Sequence, residues 1–432
     1  MRQELVHPGA ENLKYEIRGI VEVAKRISAL GTPIVWENIG DPIAKGEQVP
    51  QWIKEKVQEA VFENATFGYS PTKGLDETRA YIAQERNLEE GIDITPEDIL
   101  FFNGLGDAIS TMYDHLHPGA RVIGPNPAYP THSSAEAAHA DAPHMTYSLD
   151  PNNNWEPDLE ELEKKVQENE SIVGILIINP DNPTGFVYSK DTISKIVDIA
   201  RRYSLFVISD EIYSNLAFVG TDMKKLASVI GDVPGIAMRG ISKEFPWPGA
   251  RCGWIEFYNR DKDANFNKYT ESLLNAKMLE VCSTTLPQAV LPRVMSDARY
   301  YPHLATRISG YAKRSQEAVD TLSKIPELTI HNAQGAFYMS VLFNASTLTD
   351  TQSLPLSKGA QDIIEPHLHN AKLDQRFVYY LLAATGVCVV PLSSGFNSTH
   401  NGFRFTLLES DDATYTKTLG TMASAIREYL AS

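Results

Sequence analysis

Gly174-Ile175-Leu176-Ile177-Ile178 and Leu205-Phe206-Val207-Ile208-Ser209 are two short apolar runs with a helix-like stretch between them. Both have the composition of strands buried on two faces. Between them Ile193, Ile196, Val197 and Ala200 fall at i, i+3, i+4 and i+7, which puts an apolar stripe on one helix face. The segment predicts a β-α-β unit. Such alternation implies a mostly parallel sheet with helices on both faces, whose ligands collect at the carboxyl ends of the strands. The polar residues after each run are therefore the candidates: Asn179 onward, Asp210-Glu211, and Asn103-Gly104-Leu105-Gly106 after Ile99 to Phe102.

Working outward, 432 residues exceed what one hydrophobic core usually supports, so two domains are expected. A helix from about Ala305 to Leu322 would lead into a second region, where Gly335 to Phe343 and Phe403 to Leu408 read as antiparallel and half-buried strands. The expected division is a large domain over 51–305 and a smaller one built from both chain ends, 1–50 and 306–432. The Ser-, Thr-, Pro- and Leu-rich stretch from Asn344 to Lys372 is weakly periodic and reads as a surface excursion. The helix after Gly104 is expected to begin near Ala108. No internal repeat is evident.

A formal charge of −16 argues against a nucleic-acid partner or an anionic membrane surface, since both need clustered Lys and Arg. Cys252, Cys282 and Cys388 are odd in number and widely spaced, which supports neither a disulfide framework nor a zinc knuckle. The start Met1-Arg2-Gln3-Glu4 shows no signal-peptide core and no segment has the length of a membrane span, so a cytoplasmic location is expected.

Ser-Lys occurs five times, ending at Lys190, Lys195, Lys243, Lys324 and Lys358. Of these only Lys243 has an arginine eight residues later, in Ser242-Lys243-Glu244-Phe245-Pro246-Trp247-Pro248-Gly249-Ala250-Arg251-Cys252-Gly253. Two prolines and a glycine enforce an irregular loop there that can fold Arg251 back towards Lys243.

This string resembles the lysine signature of the class I/II aminotransferases, pyridoxal-phosphate (PLP) enzymes of fold type I. The resemblance extends from about Gly40 to Arg404. Tyr69-Ser70-Pro71-Thr72-Lys73-Gly74, Asn103-Gly104-Leu105-Gly106-Asp107-Ala108, Pro127-Ala128-Tyr129-Pro130, Asn179-Pro180-Asp181-Asn182-Pro183-Thr184-Gly185, Ser209-Asp210-Glu211-Ile212-Tyr213, Lys243 and Arg404 stand in the family's order. The implied fold is α/β: a large domain with a mostly parallel sheet between helices, plus a smaller α+β domain. The implied activity is amino-group transfer between an L-amino acid and a 2-oxo acid, by ping-pong chemistry through a Lys243 aldimine.

PLP needs an amine for its aldehyde, an anion for its ring nitrogen, and cations or amides for its phosphate. Lys243 would supply the amine and then shuttle a proton as general base and acid. Asp210, at the end of an apolar strand, would pair with the ring nitrogen. Tyr213 and Asn182 would donate to the ring hydroxylate, and Tyr129 would stack on the ring. The amides of Leu105, Gly106 and Asp107 at a helix start, with Arg251 and Ser242, would hold the phosphate. The resemblance implies that Tyr69 reaches the phosphate of a neighbouring subunit in a homodimer. It also implies that Arg404 grips the substrate α-carboxylate with a planar two-bond contact. Gly40, in Asn38-Ile39-Gly40-Asp41-Pro42, would lie over the substrate.

The chain departs from the family in three places. Gly240 stands where a Ser or Thr usually contacts the phosphate. Leu392-Ser393-Ser394-Gly395-Phe396 replaces a short Gly-rich turn after Val390-Pro391. Gly106 stands where some dicarboxylate-specific relatives have a lysine, which favours a neutral amino donor.

Each motif also has a plainer reading. Asn-Pro-x-Asn-Pro-Thr-Gly is turn chemistry, Asp210 could cap a helix, and Tyr129 could fill core. His115-Leu116-His117 and His367-Leu368-His369 lack a nearby Cys or Glu at helical spacing, so no metal is expected. Gly104-Leu105-Gly106 is followed by Ile109 where a dinucleotide fingerprint needs its third glycine. The rival reactions are a carbon–sulfur β-lyase on the same scaffold and, further off, a non-catalytic binding or regulatory protein.

Overall fold

The computed structural model describes residues 5, 6, 8–13 and 16–432. The opening Met1-Arg2-Gln3-Glu4 and part of the 1–50 span lie outside the described residues.

The predicted β-α-β unit forms from the strand Ile172–Ile178, the helix Lys190–Tyr203 and the strand Phe206–Asp210. Ser189 starts the helix by accepting from the Thr192 amide at 3.1 Å, and Ser204, in left-handed conformation at φ 55°, ends it. Its buried face carries Ile193, Ile196, Val197 and Ala200, each aliphatic side chain worth about 1.5–3 kcal/mol when fully covered. The two strands pair in parallel, with Ile178 opposite Asp210.

Around this unit lies an eight-stranded sheet in the order Ile99–Phe102, Gly253–Tyr258, Gly235–Gly240, Phe206–Asp210, Ile172–Ile178, Arg121–Asn126, Thr146–Asp150, Glu156–Pro157. Its middle is parallel, and antiparallel pairs close both edges. Four parallel strands, ending at Asn126, Ile178, Asp210 and Gly240, thus deliver their following loops to one edge.

A second sheet of four short strands pairs antiparallel around Gly402–Thr406, where Arg404 lies opposite Ser340 on one side and Val390 on the other. The long helix Tyr300–Leu322 precedes it. Half-buried strands were expected here, yet every residue of Tyr338–Phe343 and Gly402–Thr406 is buried. Phe377 and Tyr429 of flanking helices cover the sheet: Phe377 packs on Phe343 and Phe403, and Tyr429 packs on Phe377. The stretch from Asn344 to Lys372 is likewise not only a surface excursion, because it holds the helix Lys358–Leu368, which buries Ala360, Ile363, Ile364 and Leu368. The helix expected near Ala108 begins instead at Leu105, directly after Gly104 turns the chain at φ 88°.

Candidate active site

Asp210 ends its strand with its carboxylate buried, and its surroundings contain no Lys or Arg partner among the described residues. Oδ1 accepts from the Ile212 amide at 3.1 Å, and Oδ2 lies 3.2 Å from Nε2 of His132. His132 is itself buried, with Nδ1 lacking a partner. Asp210 opens into a cavity of about 440 Å³ that Lys243, Asn182, Tyr213 and Arg251 also line.

Lys243 sits in the loop after Gly235–Gly240, and its Nζ donates to the Gly40 carbonyl at 2.8 Å. Desolvation pushes its pKa down to about 8 from the usual 10.5. The Asp41 and Asp210 carboxylates oppose that fall, and the Arg404 and Arg251 guanidiniums add to it. The ammonium lies 5.6 Å from the Phe337 ring centre and 5.9 Å from that of Tyr213, an apolar wall that binds it weakly.

Beyond Lys243 lies a second cavity, of about 480 Å³, which shares Tyr129, Asn182, Tyr213 and Lys243 with the first and adds Gly40, Asp41, Tyr338 and Arg404. Arg404 is 2 % exposed. Its guanidinium donates to Asn182 Oδ1 at 3.1 Å and the Asn38 carbonyl at 2.6 Å, and it is held between the rings of Tyr338 and Phe396. Its Nε has no partner, and among the described residues no carboxylate pairs with it. A buried arginine left without an anion is costly unless a ligand supplies one.

Tyr213 is buried, and its hydroxyl donates to that of Tyr338 at 3.2 Å. Burial, followed by the neighbouring Tyr338 and Tyr129, raises its pKa well above the usual value, so it stays a neutral donor. Asn182 gives its carbonyl to Arg404, which leaves its amide as a donor. The rest of that motif is turn structure: Asp181 Oδ2 accepts from the Thr184 amide at 3.0 Å and from its hydroxyl at 2.5 Å. Burial pushes Asp181 up to about 7.

At the opposite wall, Leu105 and Gly106 begin the helix Leu105–Asp114 beside Arg251. A side chain at Gly104 would meet the Arg251 guanidinium at 2.4 Å, so this glycine permits the close approach. Arg251 takes a left-handed φ of 49° and spends its side-chain donors on the Pro248 and Asn103 carbonyls, at 3.1 and 3.3 Å. It too has no carboxylate partner among the described residues.

Thirteen residues were singled out from sequence, and the structure gathers eleven of them around the two cavities. Asp107 stands apart: its amide donates to the Gly104 carbonyl at 3.1 Å, and its carboxylate accepts from the Asn103 amide at 2.9 Å and pairs with Lys277. Tyr69 also stands apart, 85 % exposed. Gly240 fits tightly, since a side chain there would press on the Cys252 carbonyl at 3.0 Å, whereas Ser242 lines the cavity. His132, Asn38, Tyr338 and Phe396 were not foreseen. Among the described residues no group of three His, Cys, Asp or Glu could hold a metal ion.

The family description "aminotransferase class I and II" matches residues 35–419. An uncharacterized aminotransferase of Methanocaldococcus jannaschii, MJ1479, is 51 % identical over 431 residues, which cover 100 % of both chains. The glutamate-pyruvate aminotransferase AlaA of Escherichia coli K12 is 30 % identical over 339 residues, 76 % of this chain and 80 % of its own length. An alanine aminotransferase structure from Pyrococcus furiosus superposes with a TM-score of 0.86 at 25 % identity, covering 99 % of this chain and 100 % of the other. An aspartate aminotransferase structure from Rhizobium meliloti shares the fold, with a TM-score of 0.83 at 19 % identity over 99 % of each chain.

Proposed function

The chain belongs to the class I and II aminotransferases and is a transaminase, and from this we propose that it works with PLP held at Lys243. It moves an amino group between an L-amino acid and a 2-oxo acid. The observation that carries the reading is a pair of adjoining cavities, sharing four lining residues, that bring together an amine of lowered pKa, a buried carboxylate lacking a Lys or Arg partner, and a buried arginine lacking an anion.

The residues present fit the cofactor. Asp210 would face its ring nitrogen, with His132 bracing the carboxylate from behind; Tyr213 and Asn182 would donate to its hydroxylate, and Tyr129 would cover its face. The helix-start amides of Leu105 and Gly106, with Ser242 and Arg251, would hold its phosphate. Asp107 would help by capping that helix rather than by touching the phosphate. When bound, PLP supplies an electron-withdrawing ring that spreads charge developing at the substrate α-carbon.

Arg404 orients the substrate by its α-carboxylate, and Tyr338 and Phe396 fix the plane of the guanidinium. Lys243 Nζ takes the proton from the α-carbon in one half-reaction and returns one to it in the other. Gly40 and Asn38 line the substrate cavity beside Lys243 and Arg404.

The substrate reading is a neutral donor such as alanine. Among the described residues no cation besides Arg404 and Lys243 lines the substrate cavity, whose other polar liners include Asp41 and Glu22, and an added side chain at Gly106 would meet open space. The name of the Pyrococcus relative agrees with alanine as donor, whereas that of AlaA pairs glutamate with pyruvate. A homodimer with Tyr69 crossing to its partner is supported by the exposed Phe62, Phe67, Tyr69 and Leu279 on segments that hydrogen bonds tie together, Thr72 to Val281 at 2.9 Å and Thr285 to Gly68 at 2.8 Å. The division into 51–305 and 1–50 with 306–432 is supported by the separate eight- and four-stranded sheets and by a third pairing, of Val35–Trp36 with Val387–Cys388. A cytoplasmic setting is in keeping with the charge of −16, and among the described residues no helix is long and apolar enough to cross a membrane.

A panel of amino donors against 2-oxoglutarate and pyruvate tests the reading. Alanine should change the absorbance of the bound cofactor within one turnover and yield pyruvate. Continued release of pyruvate and ammonia without that change would point to the lyase instead.

A further inference from the structure

The run Leu392-Ser393-Ser394-Gly395-Phe396, where the chain departs from its family, folds as a single helical turn at 392–395. That turn forms one wall of a third cavity, of about 470 Å³, closed on the other side by the start of the helix Pro130–Ala140. The cavity shares no lining residue with the two catalytic ones. It is nearly as large as the substrate cavity, at about 470 against about 480 Å³.

Its chemistry is one-sided. Lys372 and His144 line it, together with serine and asparagine side chains, and among the described residues no carboxylate does. Lys372 Nζ donates to the Ser393 carbonyl at 3.2 Å and, among the described residues, forms no ion pair. The His144 side chain is 4 % exposed; Nδ1 lies 3.0 Å from Glu136 Oε2, while Nε2 is buried without a partner. The Ser394 hydroxyl is also buried without one. Asn397 is fixed in place, its side-chain amide donating to the Ser133 hydroxyl at 3.3 Å and its backbone carbonyl accepting from the Asn126 side-chain amide at 2.8 Å. Buried polar groups left unpaired beside an unneutralised ammonium are satisfied together by an anion. Pro130 and Ala137 give the same space an apolar side, which a bare inorganic ion would leave unused.

We propose that this cavity is an accessory site for a short organic carboxylate, held by Lys372, His144 and Ser394 and distinct from the catalytic pocket. Both its walls touch the catalytic machinery. Pro130 follows Tyr129, and Gly395 precedes Phe396, whose ring lies 5.0 Å from the Arg404 guanidinium. Occupancy therefore presses on the residue that covers the cofactor face and on the ring that orients Arg404. That coupling rests on the roles proposed above; the binding does not.

Calorimetric titration of the PLP-loaded protein with pyruvate tests this, in Arg404→Leu to silence the catalytic carboxylate site. One pyruvate per chain should still bind. Adding Lys372→Met should weaken that binding about tenfold or more, because a charge-assisted contact is lost. Ser394→Val, which fills the space without removing charge, should weaken it too and serves if Lys372→Met does not fold. Binding that Lys372→Met and Ser394→Val both leave unchanged, or no binding in Arg404→Leu, would mean that the cavity holds only solvent. Inorganic phosphate binding as tightly as pyruvate would overturn the carboxylate assignment. Pyruvate binding and its loss in Lys372→Met bear on the accessory site alone, and the amino-donor panel bears on the catalytic reading alone, so the two readings fail separately.

Discussion

Asp210 and Glu211 are consecutive buried carboxylates that leave the chain on opposite sides and meet opposite fates. Glu211 enters a network with Arg239, Glu256 and Arg86: it pairs with Arg239, Arg86 Nε donates to Glu256 at 3.0 Å, and Arg239 Nε lies 3.2 Å from Glu256 without hydrogen-bond alignment. Ser209, the Leu226 amide, Trp254 and Tyr258 fill the remaining acceptor positions. On the other side Asp210 and Arg404 line two adjoining cavities with Lys243 in both, and no direct ion pair joins the three. Asp210 and Arg404 are buried as deeply as the network ions, yet only the network is satisfied from within. Burial alone does not mark a site; burial with unmet demand does.

Five substitutions would break or sharpen that contrast. Lys243→Ala should lower kcat by about 10³-fold or more in steady-state assays while leaving the melting temperature close to that of the parent. Arg404→Leu should lower kcat/KM for alanine by about 10²-fold, chiefly through KM, from loss of its charge-assisted bonds. Its stability should hold or rise in a urea titration, since an unpaired buried cation is removed. Arg239→Leu should do the reverse, costing about 3–5 kcal/mol of stability by leaving Glu211 and Glu256 unneutralised. Glu211→Gln should cost less, about 1–3 kcal/mol, whereas Asp210→Asn should cost little stability and weaken cofactor retention, read by dialysis and absorbance.

pH separates the two regions in the cofactor-free protein by the sign of their contributions. Burial alone would raise Glu256, but Arg86 and Arg239 prevail and push it down to about 2 from 4.5. The native state thus binds that proton less readily than the unfolded chain, and this stabilising contribution is present above 4.5 and lost as pH falls towards 2. Lys243 also binds its proton less readily when folded, so its penalty is full below about 8 and disappears as pH rises to 10.5. Urea midpoints across both windows check this: Lys243→Met should flatten only the alkaline rise.

Much of this was legible beforehand because the chemistry demanded particular residue types at strand ends. An amine, a carboxylate and an arginine each have few substitutes, and Lys243, Asp210 and Arg404 stood out for that reason. His132 did not, because an imidazole in the first turn of a helix reads like any core histidine until the strand beside it is known. The contacts of Asn38 and Gly40 run through backbone carbonyls, which no side chain announces. The helix Lys358–Leu368 was masked by Pro366 within it and Gly359 near its start, both of which dilute the apolar period. Full burial of the second sheet was hidden because the helices that cover it come from distant parts of the chain.

The network around Glu256 has a consequence for heat. Charged groups are hydrated less favourably as temperature climbs, so the desolvation cost of four interlocked ions shrinks on warming, while the hydrophobic gain per unit area levels off. The junction between the helix bearing Arg86 and the strands bearing Glu256 and Arg239 should therefore be among the last parts of the protein to open as it is heated.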